Sequence, residues 1–294
     1  MARQATGVGA GRHVAGARTA LTALPVAPRI TARDWLYFTL QICLVASIEL
    51  ADDGVHALLG QSAPQVSIVH ALRLVNFERL HDLWIEPAIQ GFFERTHHLL
   101  GVTISWAQVV PVADLIYGPA YVLCTFAFAL WVYLQRRGLF ILLRNVFICT
   151  SVCANIVQEA FPTTPPRLTP DLSFDGRPYH FTDAVFGAVS GLQVGFNQFA
   201  AMPSVHVGWS LIVGLAVFWL ARPRLLRLLG LLWPATMVLT VIVTGNHYIT
   251  DALGAVAVFC ASVLVALAIE WKRSGDHSPR QLLHRLNASR HAVA

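Results

Sequence analysis

The chain has 294 residues, of which 55% are hydrophobic and 13% charged, with a mean hydropathy of +0.57. Soluble domains carry roughly a quarter charged residues, so this composition excludes an ordinary soluble domain, intrinsic disorder, a coiled coil and a small disulfide scaffold. The net charge of +5 does not by itself mark a nucleic-acid partner; where the cations sit decides that, and a membrane protein gathers them on one side.

Residues 1–33 are rich in Ala, Gly and Arg and contain no apolar h-region, so they read as a disordered tail rather than a signal peptide. A bilayer core of about 30 Å needs about 20 predominantly apolar residues to cross it as a helix. Six such runs follow: 35–56, 109–134, 140–161, 204–220, 225–244 and 248–271. Between the first two, in 66–100, Val69, Leu72, Leu80, Leu83 and Trp84 recur at near-helical spacing among Arg73, Glu78, Arg79, Asp82 and Glu86. That pattern predicts an amphipathic helical segment on the membrane surface, broken at Pro87. The predicted fold is all-α, a polytopic membrane helix bundle of six transmembrane helices plus this interfacial segment. Its parts are a cytoplasmic tail (1–33), a membrane domain (34–271) and a basic cytoplasmic tail (272–294).

Orientation follows from the basic residues, since cytoplasmic loops hold an excess of Lys and Arg. With the N-terminus cytoplasmic, 16 of the 21 cations fall on that side, leaving Arg73, Arg79, Arg95, Arg167 and Arg177 outside. Both termini are then cytoplasmic. The Arg-rich, Lys-poor usage points to a GC-rich bacterial genome, so the expected location is the inner (plasma) membrane. All five cysteines (Cys43, Cys124, Cys149, Cys153 and Cys260) lie in apolar spans, which leaves a disulfide framework unsupported.

The chemistry-bearing residues cluster on the outer side. The loop 162–203 carries Arg167, Arg177, His180 and Asp183, and it leads into Met202-Pro203-Ser204-Val205-His206. The fifth span returns to Thr244-Gly245-Asn246-His247, and Asp251 follows four residues after His247. The 41 residues between His206 and His247 suffice for one helix down, a basic turn and one helix back, so both histidines emerge on one face. On a helix, a four-residue spacing puts Asp251 within hydrogen-bonding reach of His247. A carboxylate there keeps one imidazole nitrogen protonated and leaves the other as a lone pair, as a nucleophile or general base requires. His206 is placed to act as proton donor. Arg167, after Pro165 and Pro166, offers a guanidinium suited to bidentate phosphate binding, and Ser204 adds a donor at a helix N-terminus. Arg177, His180 and Asp183 are candidates for the headgroup, with loop ordering as the alternative. Asp114 and Tyr117 interrupt the second span, where intramembrane acids tend to be functional unless solvated near an interface.

These motifs carry a resemblance. Pro203-Ser204-Val205-His206 and His247-x-x-x-Asp251 resemble the second and third motifs of the type 2 phosphatidic acid phosphatase superfamily, six-helix membrane enzymes acting on phosphorylated lipids. Phe161-Pro162-Thr163-Thr164-Pro165-Pro166-Arg167, with residues 197–206 and Thr244-x-x-His247-Tyr248, is closer to its inositol phosphorylceramide synthase-like (inositolphosphotransferase) branch. The similarity covers 35–271, including Asn76-x-Glu78 and Glu86-x-x-x-Gln90. It implies His247 as nucleophile, Asp251 orienting it, His206 as acid for the leaving group, and Arg167 with Ser204 holding phosphate, without a metal or other cofactor. The chain departs from the fullest pattern at Ala160, where a Lys is usual, at Leu168 for a Pro, and at Thr240-Val241 for a Ser-Arg pair. Phosphate binding therefore rests on fewer cations.

The expected partners are a phosphorylated lipid substrate and membrane lipid, with no nucleic acid. Hydrolysis of a lipid phosphate and transfer of its headgroup to a hydroxyl share their first half-reaction. A proton-coupled transporter is the reading from another class, but it needs polar residues at mid-membrane depth, whereas His206, His247, Asp251 and Arg167 cluster at one face.

Overall fold

A computed structural model of the chain describes residues 30–59, 64–99, 102–169, 172–174, 177–179, 181, 197 and 199–274. The expected tail 1–33 lies outside these except for residues 30–33, and the tail 272–294 except for 272–274. The chain divides into two units, up to Leu40 and from Gln41. Within the first, helix α1 (Ala32–Leu59) begins behind a reciprocal cap, with Thr31 N–H and hydroxyl each donating to Asp34 Oδ2 at 2.8 Å. Such a cap satisfies donors that the first turn leaves unpaired.

Among its described residues the second unit is helical almost throughout. After α1 come α2 (Pro64–Leu80), α3 (Glu86–Glu94), α4 (Trp106–Leu115), a π-helical turn (Ile116–Ala120), α5 (Tyr121–Gln135), α6 (Arg137–Ala160), α7 (Val205–Leu220), α8 (Arg224–Val243) and α9 (Ile249–Ser274). Among the described residues, two short antiparallel hairpins interrupt the series: β1 (His97–Leu99) with β2 (Val102–Ile104), and β3 (Leu172–Phe174) with β4 (Arg177–Tyr179). Among the described residues, five stretches are long and apolar enough to cross a membrane: Ala32–Ala51, Trp106–Gln135, Arg137–Ala160, Arg224–Val243 and Ile249–Arg273. The fourth expected span is α7, apolar but only 16 residues long. The architecture is an all-α membrane bundle.

The segment between the first two spans differs from its sequence reading in two ways. Pro87 does not break a helix; it sits in the first turn of α3, where a missing N–H costs nothing. The break falls at Asp82, which takes the left-handed conformation (φ 57°). The apolar stripe is also turned outward: Val69, Leu72 and Leu80 are exposed, while Ser67, Ala71, Leu74, Val75 and Glu78 are buried. An apolar outer surface is what hydrocarbon solvates, so in a membrane the polar positions are the ones that must find protein partners.

The hairpin α7–α8 positions the rest. A Cβ on Gly214 would fall 2.4 Å from the Gly230 carbonyl oxygen and 2.6 Å from Pro234 Cδ, and one on Gly230 would fall 2.8 Å from the Gly214 oxygen. Only paired glycines allow this approach, the usual way apolar helices associate where burial from lipid gains little. α9 packs along α6 and α7. Val207, Met237, Val241, Ile242, Ala252 and Ala255 form a core with Tyr121. All five cysteines are free thiols.

Candidate active site

The site is assembled where α7 starts, α8 ends and α9 starts. α8 ends in a Schellman turn: Gly245 takes φ 66°, its N–H donates to Ile242 O at 3.0 Å, and the Asn246 N–H donates to Val241 O at 3.0 Å. Glycine adopts this conformation without the Cβ penalty. The turn delivers Asn246, His247 and Tyr248, all buried, into the gap ahead of α9.

His247 lies two residues before α9, so its relation to Asp251 is set by the turn rather than by a helix face. Its Nδ1 is 2.7 Å from Ala201 O and 3.4 Å from Asp251 Oδ2. A carbonyl oxygen can only accept, so Nδ1 carries the hydrogen. In the neutral ring, Nε2 then holds the lone pair. Asp251 Oδ2 also accepts the Tyr248 N–H at 2.8 Å, which makes Asp251 the acidic member of the α9 N-terminal cap. The backbone ties the starts of α7 and α9 together: Asp251 O accepts the Ser204 N–H at 3.2 Å.

Ser204 is the N-cap of α7, its Oγ accepting the Val207 N–H at 3.4 Å, which leaves its O–H to donate elsewhere. His206 lies in the first turn of α7 between two tyrosines, with ring centroids 4.0 Å from Tyr117 and 4.5 Å from Tyr121. Tyr117 belongs to the π-helical turn, a departure from α geometry often found at functional sites. Arg167 is in a 3-10 turn (Pro166–Leu168); its backbone N–H donates to Gly245 O and its Nε to Asn246 Oδ1, each at 2.9 Å. The guanidinium is thereby fixed beside the residue preceding His247.

The approach to α7 is held by Gln158, whose Nε2 donates to Ala200 O (3.2 Å) and Pro203 O (3.0 Å), and by a parallel bridge between Thr163 and Ala200. Gln90 Nε2 donates to Val243 O at 3.1 Å, supporting the end of α8.

His206, His247, Asp251, Arg167 and Ser204 are thus brought to one end of the bundle by these links. Arg177 lies on β4 opposite Phe174, and His180 and Asp183 lie outside the described residues. Other histidines are bound structurally: His70 Nδ1 lies 2.8 Å from Pro162 O and His97 Nε2 2.7 Å from Phe92 O. Sequence reasoning did not single out the Ala201 carbonyl, Tyr121, Asn246, or the carboxylates of Glu78 and Glu86 as site residues. Backbone acceptors leave no trace in residue type. The signal for the tyrosines was Ile116-Tyr117-Gly118-Pro119, a helix-breaking dipeptide inside an apolar span.

The profile of the PAP2 superfamily matches residues 73–265, well over half of the chain, and the chain belongs to that superfamily. The match starts within α2 and runs through α9, covering every residue of the histidine cluster. Membership gives the protein a lipid-phosphatase type of function in the membrane, that of a phosphoric ester hydrolase at the general level. Neither the curated proteins nor the solved structures provide a match.

Proposed function

We propose that the protein cleaves a lipid phosphate ester through a phosphohistidine on His247. The observation that carries this is the 2.7 Å link from His247 Nδ1 to Ala201 O, which commits the lone pair to Nε2. Nε2 attacks phosphorus, the P–O bond to the lipid breaks, and His206 gives its proton to the departing oxygen. The new P–N bond leaves the imidazole ring positive with its hydrogen still on Nδ1. Ala201 O and Asp251 Oδ2 both face that hydrogen and favour the cation. Tyr117 and Tyr121 stack on the His206 ring and fix its position in the first turn of α7. Arg167 and Ser204 hold the phosphate oxygens, with charge-assisted hydrogen bonds roughly twice as strong as neutral ones. In the second half-reaction a hydroxyl attacks phosphorus, the P–N bond breaks, and His206 takes the hydroxyl proton.

Water as that hydroxyl gives hydrolysis; an alcohol gives headgroup transfer. Similarity of Phe161-Pro162-Thr163-Thr164-Pro165-Pro166-Arg167 to the inositol phosphorylceramide synthase-like branch favours transfer, with Arg177, His180 and Asp183 contacting the headgroup. The site faces the extracytoplasmic side with both termini cytoplasmic, which the cation distribution supports. A labelled-lipid assay on purified protein tests the proposal, with and without an acceptor alcohol. Free phosphate means hydrolysis and a new phospholipid means transfer. Label trapped on the protein in an acid-labile, base-stable bond that His247→Ala removes is the expected intermediate. Undiminished turnover in His247→Ala sinks it.

A further inference from the structure

Two buried carboxylates stand outside the histidine cluster and take no part in the chemistry above. Glu78, near the end of α2, and Glu86, opening α3, are fully buried. Across the break at Asp82 they converge on the first turn of α9. Glu78 Oε1 accepts the Thr250 N–H at 2.9 Å and the Thr250 hydroxyl at 2.6 Å. Glu86 Oε1 accepts the Ile249 N–H at 2.6 Å. The Oε2 atoms of both are buried without a hydrogen bond, and the two carboxyl groups sit on the consecutive N–H groups of Ile249 and Thr250. Two bare carboxylates held side by side and out of water repel, so such a pair retains one proton between them.

We propose that Glu78 and Glu86 share a single proton and together act as positioning residues, clamping the first turn of α9 and so placing Asp251 and His247. The clamp's role in turnover rests on the His247 reading; its role in stability does not. Burial pushes the Glu78 carboxyl up to about 8, and the neighbouring Glu86 charge adds to it. Glu86 is raised too, chiefly by burial. Among the described residues, the other ionisable groups facing the pair are Asp251, in the first turn of α9, and the Tyr248 phenol just before it; the Asp251 charge pushes both carboxyls the same way. From the ordinary value of 4.5 to about 8, the folded chain therefore holds a proton that the unfolded chain has released. Stability falls as pH rises through that window.

The test uses the full-length chain purified in detergent, as wild type, Glu78→Gln, Glu86→Gln and Glu78→Ala. Turnover of a labelled lipid phosphate and the melting temperature are measured at pH 6 and pH 9. A Gln amide can donate where the shared O–H donates, so it mimics the protonated partner. Glu78→Ala is expected to lower kcat about 100-fold, the cost of a misplaced catalytic group, with KM little changed. Glu78→Gln is expected to recover about tenfold of that loss, and at least one Gln variant is expected to lose less melting temperature than wild type between pH 6 and pH 9. If Glu78→Gln is as damaged as Glu78→Ala, or if both Gln variants melt with the wild-type pH dependence, the shared proton is wrong. Melting needs no turnover, so a chain that releases no phosphate overturns the reading of His247 while the melting curves still decide the clamp.

Discussion

The two ends of the α7–α8 hairpin are held in opposite ways. At the turn end, Leu225, Leu226, Leu228 and Leu229 are all exposed, and Arg227 folds back, its Nε on Phe218 O at 3.0 Å and its guanidinium over the Phe218 ring. At the open end, every residue from 240 to 248 is buried, and the links run to distant parts of the chain. Val243 O is reached from Gln90, Gly245 O from Arg167, Ala201 O from His247 and Asp251 O from Ser204. Lipid is as apolar as leucine, so sequestering leucine from it specifies little. Position at the open end comes instead from hydrogen bonds made in a low-dielectric surrounding, where each is strong and costly to leave unmade.

The sharpest way to break this comparison is at His247. His247→Ala is expected to lower lipid-phosphate turnover by about 10³-fold or more, well beyond the loss of about 1–3 kcal/mol in stability from a buried Ala201 carbonyl left without its donor. A variant that also fails to fold would mean that the Ala201 link holds the open end together rather than serving chemistry. Next in size is the mid-hairpin approach. Gly214→Ala forces a methyl against a backbone oxygen and a proline ring, neither of which can swing aside. The expected cost is about 1–3 kcal/mol, read as a lower melting temperature, with turnover falling as the two histidines separate. Unchanged melting would mean that the helices are free to part, and that the open end does not depend on the hairpin.

Much of this was legible in the sequence because membrane constraints are severe. All six apolar runs appear as helices close to their predicted limits, five of them long enough to span, since an apolar run of that length has few alternatives to a helix. The pairing of His206 with His247 followed from counting residues down and back through α7 and α8. What could not be read was the direction in which a polar residue points. Glu78 sat in a mixed segment and looked like the wet side of a surface helix; only its partner Thr250, far along the chain in the first turn of α9, makes it an inside residue. The geometry of Asp251 was half legible. Its spacing from His247 was right, but a Schellman turn and a helix cap, not a helix face, bring the two together.

Two smaller effects sharpen the contrast between the ends. Gly245→Ala places a Cβ at φ 66°, a conformation costing an L-residue about 1 kcal/mol or more. Because the Gly245 carbonyl receives the Arg167 N–H and its neighbour Asn246 receives the Arg167 Nε, relaxation of that strain displaces Arg167 and His247 together. Turnover should therefore fall further than the modest drop in melting temperature suggests, and a variant losing the two in proportion would show that the turn is only a helix stop.

The smallest effect belongs to the turn end. Arg224 opens α8 and is exposed, and a cation there sits against the positive end of the helix dipole. Arg224→Gln removes that mismatch and no buried contact, so stability should change by no more than about 0.5 kcal/mol, in the stabilising direction, and turnover should be that of wild type. Melting temperature and lipid-phosphate turnover, measured side by side with Gly245→Ala, decide it. If a neutral residue at 224 costs as much turnover as a strained one at 245, then the two ends are mechanically coupled through the glycine contact, and the open end does not hold its geometry by its own hydrogen bonds.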